Sequence, residues 1–126
     1  MTRRGEPPTD AGLYIAVLRL DADRRIRVGR LGRFRFGRGV YLYVGSAQRN
    51  RSARLARHGR RRKPRRWHID YLSTNATMLG AILIPGRRED ECRVAAEVGR
   101  LCPRLIEGFG ASDCRCGGHL FCAGEW

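Results

Sequence analysis

Five side chains with the chemistry that phosphodiester hydrolysis requires are spread along this 126-residue chain. They are two tyrosines, an arginine, a histidine and a glutamate: Tyr14, Tyr43, Arg54, His68 and Glu91. The reaction needs a polarised phosphate, an activated water and stabilisation of the leaving oxygen. A phenol or an imidazole can move a proton, a guanidinium can hold a phosphate, and a carboxylate can bind a divalent cation. These five residues are therefore our candidates for catalysis and metal binding.

Positive charge dominates the composition. The chain has 26 basic and 12 acidic side chains, which gives a net charge of +14, and Lys63 is the only lysine. A domain this basic repels itself unless it has an anionic partner, and nucleic acid is the usual one. Contacts with the phosphate backbone provide affinity and salt dependence rather than sequence choice. We expect these contacts from a basic hairpin and the basic run that follows it: Arg27, Arg33, Arg35, Arg57, His58, Arg61, Arg65 and Arg66.

The elements that must position these residues follow from the pattern of apolar side chains. Alternation and β-branched runs predict strands at 12–20, within 24–36, at 40–44, at 77–84 and at 119–122. Spacing of three and four residues predicts helices at 51–58, where basic side chains follow it, and at 88–102, where apolar side chains do, and 67–72 is predicted to be a short helix. The first three strand segments are expected to form a meander. The first helix is expected to expose a basic face that includes Arg54, Arg57, His58 and Arg61.

This order predicts a single α+β domain in which helices flank a small mixed or antiparallel sheet. Residues 1–11 are expected to form a flexible N-terminal arm, and 12–126 the domain. No apolar stretch approaches the roughly 20 residues of a membrane span, and the N-terminus does not resemble a signal peptide. The five cysteines are an odd number, which disfavours a disulfide framework. We therefore expect a cytoplasmic protein without a membrane partner.

Two tripeptides resemble the motifs that define the GIY-YIG nuclease superfamily. Gly12-Leu13-Tyr14 resembles the first motif and Tyr43-Val44-Gly45 the second. Arg54, His68 and Glu91 follow in the order in which that superfamily has an arginine, a histidine or tyrosine, and a metal-binding glutamate. The resemblance implies a DNA endonuclease with one Mg²⁺ or Mn²⁺ bound at Glu91. It further implies that Tyr14 or Tyr43 helps to deprotonate water and that Arg54 stabilises the charge on the phosphate. His68 would orient the reacting groups or relay a proton.

The chain is more closely similar to one prokaryotic branch of the superfamily, catalogued as a domain of unknown function. Its members stand alone or are fused to endonuclease III-like repair enzymes. The resemblance lies in five segments: YVGSA at 43–47, RLARH at 54–58, RWHIDYL at 66–72, the pair Glu91-Cys92, and GFGASDCRCGGHLF at 108–121. It implies a role in DNA repair and a repair enzyme as partner. Two features depart from the superfamily pattern. The basic hairpin separates the two motifs widely, and the asparagine that often follows the glutamate has no counterpart.

Each candidate residue also has a purely structural interpretation. Tyr14 and Tyr43 could be packed strand aromatics, His68 a structural histidine, and Glu91 a carboxylate that complements the N-terminus of its helix. The corresponding alternative function is a non-catalytic nucleic-acid-binding module on the same fold. An RNA-binding accessory domain is a third hypothesis, although DNA is favoured over RNA.

Cysteine and histidine residues near the C-terminus raise a separate question. Cys114, Cys116 and His119, with Cys122 nearby, have ligand types that suit structural zinc, but their spacing differs from that of paired zinc knuckles. The alternative is that the cysteines are small buried thiols and that this loop, His119 included, lines the site. Both interpretations remain open from the sequence.

Overall fold

The computed structural model describes residues 10–103, Phe109 and residues 118–124. These residues form six strands and three helices: β1 (Gly12–Leu20), β2 (Arg24–Val28), β3 (Gly32–Phe36), β4 (Gly39–Ala47), α1 (Arg51–Gly59), α2 (His68–Ser73), β5 (Thr77–Ile84), α3 (Glu91–Leu101) and β6 (Leu120–Gly124). The predicted N-terminal arm lies almost wholly outside the described residues.

The main sheet has four strands in the order β5-β1-β4-β6, and every neighbouring pair is antiparallel. β1 and β4 pair along their full lengths, from Gly12 opposite Ala47 to Leu20 opposite Gly39. The predicted α+β class, with an antiparallel sheet flanked by helices, is confirmed.

The two faces of this sheet bury different side chains because successive residues of a strand point to opposite sides. Tyr14 and Ala16 join the larger core, which also contains residues of α2 and of β2 and β3. Ile15, between them, joins a second core with Val44 and with Ala95 of α3. β1 and β4 are thus covered on both faces, which explains why β1 is almost continuously apolar.

The predicted meander is wrong. β2 and β3 form a separate two-stranded sheet, and β1 pairs directly with β4 across the segment that contains them. The physical reason is the basic face of this hairpin. A strand covered on both faces cannot hold charged side chains without large desolvation costs. The hairpin therefore packs only its apolar face, with Ile26, Val28 and Phe36 buried, and leaves its arginines in solvent.

α3 begins three residues later than predicted. A short 3-10 turn, Arg88–Asp90, precedes it, and Glu91 is the first residue of the helix. The apolar stripe predicted to follow Glu91 packs in the second core, where Val94, Ala95 and Val98 lie. Within the described ranges, no helix has the length and apolar character that a bilayer crossing requires.

A buried carboxylate ties α1 to the start of α2. Asp70 is fully buried, and its oxygens accept two hydrogen bonds from Arg57 at 2.7 and 2.9 Å. Asp70 also accepts the backbone N–H groups of Arg66 and Trp67, at 2.8 and 2.9 Å. Burial by itself would raise the pKa of Asp70, but these hydrogen bonds outweigh it, and the pKa is lowered. The interactions fix the chain that leads into α2.

Candidate active site

A cavity of about 500 Å³ lies where β4 ends, and all five candidate residues line it. Each of the five comes from a different element, and the two tyrosines come from neighbouring strands: Tyr14 from β1, Tyr43 from β4, Arg54 from α1, His68 from α2 and Glu91 from α3. Residues that are far apart in the chain are thus gathered around one space.

The two tyrosines meet because of the strand register. Tyr14 lies opposite Gly45, and Tyr43 lies opposite Ala16. Residues directly opposite each other in a sheet share a face, so both phenol groups are on the same face, two positions apart. Both side chains are buried, and burial raises the pKa of each phenol well above its ordinary value. At neutral pH both tyrosines are therefore protonated.

Gly45 leaves the space that the Tyr14 ring occupies. A Cβ atom added at Gly45 would lie 2.5 Å from both Cζ and the hydroxyl oxygen of Tyr14. We expect Gly45→Ala to displace the Tyr14 ring and to lower the free energy of unfolding by about 1–3 kcal/mol, as overpacking of a core does. Chemical denaturation measures this loss. Gly80→Ala on β5 is the matched control, because nothing lies within 4 Å of its added Cβ. Equal stability of the two variants would contradict the expectation.

A histidine that was predicted to lie on the basic surface lies instead behind Tyr14. His58 is 1% exposed, and its Nε2 atom is 2.8 Å from the Tyr14 hydroxyl oxygen. Burial, assisted by the charge of Lys63, lowers the pKa of His58 to about 4, so the ring is neutral at pH 7. The hydrogen bond gives the Tyr14 hydroxyl a direct path for proton exchange with an imidazole.

Two side chains hold the Glu91 carboxylate. The Ser46 hydroxyl donates to Oε2 at 2.6 Å, and Nδ1 of the buried His119 is 3.0 Å from Oε1. Burial would raise the pKa of Glu91, but the hydrogen bonds from His119 and Ser46 outweigh this effect and lower it. Glu91 is therefore ionised at neutral pH. His119 thus contacts the carboxylate that borders the cavity.

The donor chemistry at Glu91 fits a hard divalent cation. The carboxylate is ionised, it is oriented on both oxygens, and its side chain is 17% exposed. No group of three His, Cys, Asp or Glu side chains in the described part of the chain could hold a metal. Among the described residues that line the cavity, Glu91 is the one carboxylate, which suits Mg²⁺ because this ion keeps most of its waters. Cys114 and Cys116 lie outside the described residues, so the zinc interpretation stays a prediction.

Arginines surround the rest of the cavity. Among the residues that the structure describes, four arginines line it: Arg49, Arg54, Arg66 and Arg88. Nη1 of Arg54 donates to the backbone oxygen of Ser46 at 2.5 Å, and the Arg54 guanidinium lies 5.0 Å from the centre of the Trp67 ring. Four guanidinium groups around one carboxylate give an electrostatic environment that favours an anion such as a phosphate.

The remaining basic candidates divide into two sets. Arg27, Arg33 and Arg35 are exposed on the hairpin, as predicted. Arg65 lines a second cavity, beside β2, and Arg66 lines the candidate active site. For these residues the structure provides accessible positive charge, and contact with nucleic acid stays a prediction.

The predicted exposure of the basic face of α1 is wrong for His58 and Arg57, which pack into the protein. His58 is buried and Arg57 is paired with Asp70. Arg61 donates to the backbone oxygen of Ala76 and to the Thr77 hydroxyl, although its residue surface is exposed. Spacing alone could not distinguish a face that meets solvent from one that meets a buried aspartate and tyrosine.

Ser46, Arg49, Trp67 and Arg88 also line the cavity, and none of them was among the predicted catalytic residues. Ser46 had one sequence signal, since it directly follows the glycine of the second tripeptide. Arg49 and Arg88 had none, because arginine is so abundant in this chain that no single one is conspicuous.

One comparison with known proteins gives a match. A family model described as "Domain of unknown function DUF123" matches residues 13–125. No curated protein and no solved structure matches the chain.

Proposed function

The chain belongs to the family described as domain of unknown function DUF123, and we propose that it is a metal-dependent endonuclease that hydrolyses phosphodiester bonds in DNA. One observation supports this proposal above the others. Tyr14, Tyr43, Arg54, His68 and Glu91 surround a single cavity that arginines make attractive to phosphate. This is also the residue set of the GIY-YIG superfamily, to which we propose that the family is related.

Each of these side chains has a role in the proposed reaction. Arg54, fixed by Ser46 and by Trp67, would hold the phosphate and stabilise the charge that develops on it. Mg²⁺ or Mn²⁺ at Glu91 would supply Lewis-acid activation of phosphate and water. Tyr14 would accept a proton from the attacking water while its own proton moves to Nε2 of His58, 2.8 Å away. His68, in the cavity wall, would orient the substrate or the water.

The direct test is cleavage of labelled single-stranded, duplex, flapped and branched DNA. Each substrate is incubated with the protein in the presence of Mg²⁺, Mn²⁺ or EDTA, and a parallel set uses RNA of the same shapes. Metal-dependent cutting of DNA is the expected result. Binding of the whole panel without any cutting would overturn the nuclease proposal.

Removal of one hydroxyl group tests the proton path. We expect Tyr14→Phe to lower the cleavage rate by about 10²-fold or more, which is the contribution typical of a positioned acid or base. Tyr41→Phe is the matched control, because the Tyr41 hydroxyl donates to the backbone oxygen of Gly37, away from the cavity, and its loss also removes a buried hydrogen bond. Single-turnover cleavage kinetics measure both variants. Equal rates in the two variants would exclude Tyr14 from proton transfer.

The raised pKa values of the tyrosines favour a second candidate function. A phenol whose pKa is raised by burial is a weak source of phenolate at neutral pH. The same cavity would then bind phosphate without cleaving it, and the protein would be a nucleic-acid-binding module. A role in DNA repair and a repair enzyme as partner are proposals under either function. The cleavage panel separates the two functions.

A further inference from the structure

The two-stranded sheet of β2 and β3 presents a regular array of arginines. In its register Arg25 lies opposite Arg35, and Arg27 lies opposite Arg33. Because these are directly opposed pairs at alternate positions, all four side chains are on one face, and all four residues are exposed. Ile26 and Val28, on the other face, are buried in the core. We call this face, formed by Arg25, Arg27, Arg33 and Arg35, the arginine ribbon.

The arginine ribbon is electrostatically unsatisfied within the described chain. Like charges directly opposite each other destabilise a sheet. Arg35 has an acidic neighbour, Asp23, at 3.2 Å. No acidic side chain in residues 10–103 or 118–124 pairs with Arg25, Arg27 or Arg33. Residues 10–103 and 118–124 thus do not supply the negative charge that would neutralise these three arginines, and a polyanion is a partner that can neutralise several guanidinium groups at once.

The dimensions of the arginine ribbon match one polyanion in particular. Its two strands lie about 4.8 Å apart, and alternate side chains repeat about every 6.8 Å along a strand. The major groove of B-form DNA is about 12 Å wide and admits a two-stranded ribbon. Arginine is the side chain best suited to both the guanine edge in that groove and the phosphates that border it. We propose that the arginine ribbon enters the major groove of B-form duplex DNA.

This inference rests on the proposed function in one respect, which is that the nucleic acid is DNA. It also specifies the substrate class, because it requires a duplex. A-form RNA has a deep and narrow major groove that side chains do not enter, so duplex RNA is not a suitable partner for the same face. Single-stranded nucleic acid has no major groove, so it would contact only individual arginines of the arginine ribbon.

A second basic cavity lies beside the arginine ribbon. It has a volume of about 510 Å³ and lies between β2 and α2. Arg24, Arg65 and Tyr71 line it together with Arg25 and Arg27 of the arginine ribbon. Arg66, the next residue after Arg65, lines the active-site cavity. Positive charge thus lines both the cavity beside the arginine ribbon and the candidate active site, and consecutive arginines contribute to the two linings.

Chemical footprinting on duplex DNA tests the proposal. Dimethyl sulfate methylates N7 of guanine in the major groove and N3 of adenine in the minor groove, so one reagent reports on both grooves. The experiment uses the Glu91→Gln protein in EDTA, which prevents cleavage. We expect protection of guanine N7 and unchanged reactivity of adenine N3. Bound DNA in which guanine N7 stays fully reactive would overturn the proposal, as would protection confined to adenine N3.

Charge-removal variants identify the surface responsible. Arg27→Gln/Arg33→Gln neutralises the opposed pair that has no acidic partner. Arg93→Gln/Arg100→Gln is the matched control, since it removes the same charge from exposed positions of α3, across the sheet. We expect the ribbon variant to bind duplex DNA at least about tenfold more weakly, and the slope of log K against log[salt] to fall by about 1.8 for two lost phosphate contacts. The control variant should lose much less affinity for duplex DNA. Equal losses in both variants would overturn the proposal.

Fluorescence anisotropy with duplex DNA and duplex RNA of the same sequence completes the test. The expected result is a preference for DNA that the ribbon variant reduces, and equal affinity for the two duplexes would contradict a major-groove mode. The footprinting experiment does not use the Arg27→Gln/Arg33→Gln variant. It therefore tests the major-groove proposal even if that variant is unstable. Guanine protection by a protein that cleaves nothing would overturn only the nuclease proposal. Cleavage of DNA without protection of guanine N7 would overturn only the proposal that the arginine ribbon enters the major groove.

Discussion

Replacing Glu91 by glutamine is expected to lower the rate of metal-dependent DNA cleavage by at least about 10³-fold while DNA affinity stays within about twofold. Loss of a single preorganised electrostatic contact typically costs 10²- to 10³-fold, and loss of the metal-binding charge belongs at the upper end of that range. The amide keeps the shape of the side chain but cannot offer an anionic oxygen to a cation. Binding persists because the arginines that line the cavity are unchanged.

The structure provides a close control for this substitution. Glu97 is on the same helix, its side chain is 67% exposed, and it pairs with Arg100 away from the cavity. Glu97→Gln is therefore the same chemical change at a position that should leave cleavage unaffected. Rates at several Mn²⁺ concentrations, with binding measured separately in EDTA, distinguish loss of metal affinity from loss of DNA affinity. Retention of cleavage by Glu91→Gln would remove this residue from the proposed chemistry.

Replacing Asp70 by asparagine is expected to destabilise the fold by about 3 kcal/mol, which is the effect of breaking a buried ion pair by removing one partner. The substitution leaves the Arg57 guanidinium without its anion, and it withdraws a charged acceptor from two backbone N–H groups at the start of α2. For a chain of this length, such a loss corresponds to a melting temperature lower by about 10 °C.

The sign of the pH dependence follows from the lowered pKa of Asp70. The stabilisation that Asp70 provides is complete above the ordinary carboxyl pKa of 3.8, and it is lost as the pH falls through the lower pKa of the folded state. The difference in stability between the native protein and Asp70→Asn should therefore be constant near neutral pH and shrink below about pH 4.

Urea denaturation at a series of pH values measures this effect. Asp21→Asn is the control, because Asp21 pairs with Arg19 at an exposed position, and such pairs contribute less than about 1 kcal/mol. If Asp70→Asn were no more destabilising than Asp21→Asn, Asp70 would not hold α1 against α2 as the structure indicates.

Part of the site could be predicted from local patterns. Tyr14 and Tyr43 occur on segments whose β character is strong, and Glu91 comes before an apolar stripe with helical spacing. Both signals depend on residues close in the chain, so the strands and the helix form close to where the pattern predicts them, with α3 beginning three residues later. That the tyrosines share one face depends on the register between β1 and β4, which the pairing in the tertiary structure established.

Other features depend on contacts between distant segments and were predicted incorrectly. The hairpin was placed in the main sheet because sequential strands commonly pair, but its basic face excluded it from a sheet covered on both sides. His58 was assigned to the surface because it follows arginines at helical spacing. Its burial results from the approach of Tyr14 and Trp67, residues on other elements.

The amino-acid sequence by itself determined the types and order of the elements, the basic character of the protein and the identity of the five candidate residues. Hydrophobic periodicity and charge are local properties, so they can be read without knowing which segments meet. Only the tertiary structure decided that the five residues line one cavity, that Ser46 and His119 orient Glu91, and that four arginines share one face of a separate ribbon. These features depend on strand register and packing, which are set by the whole set of buried contacts rather than by any one segment.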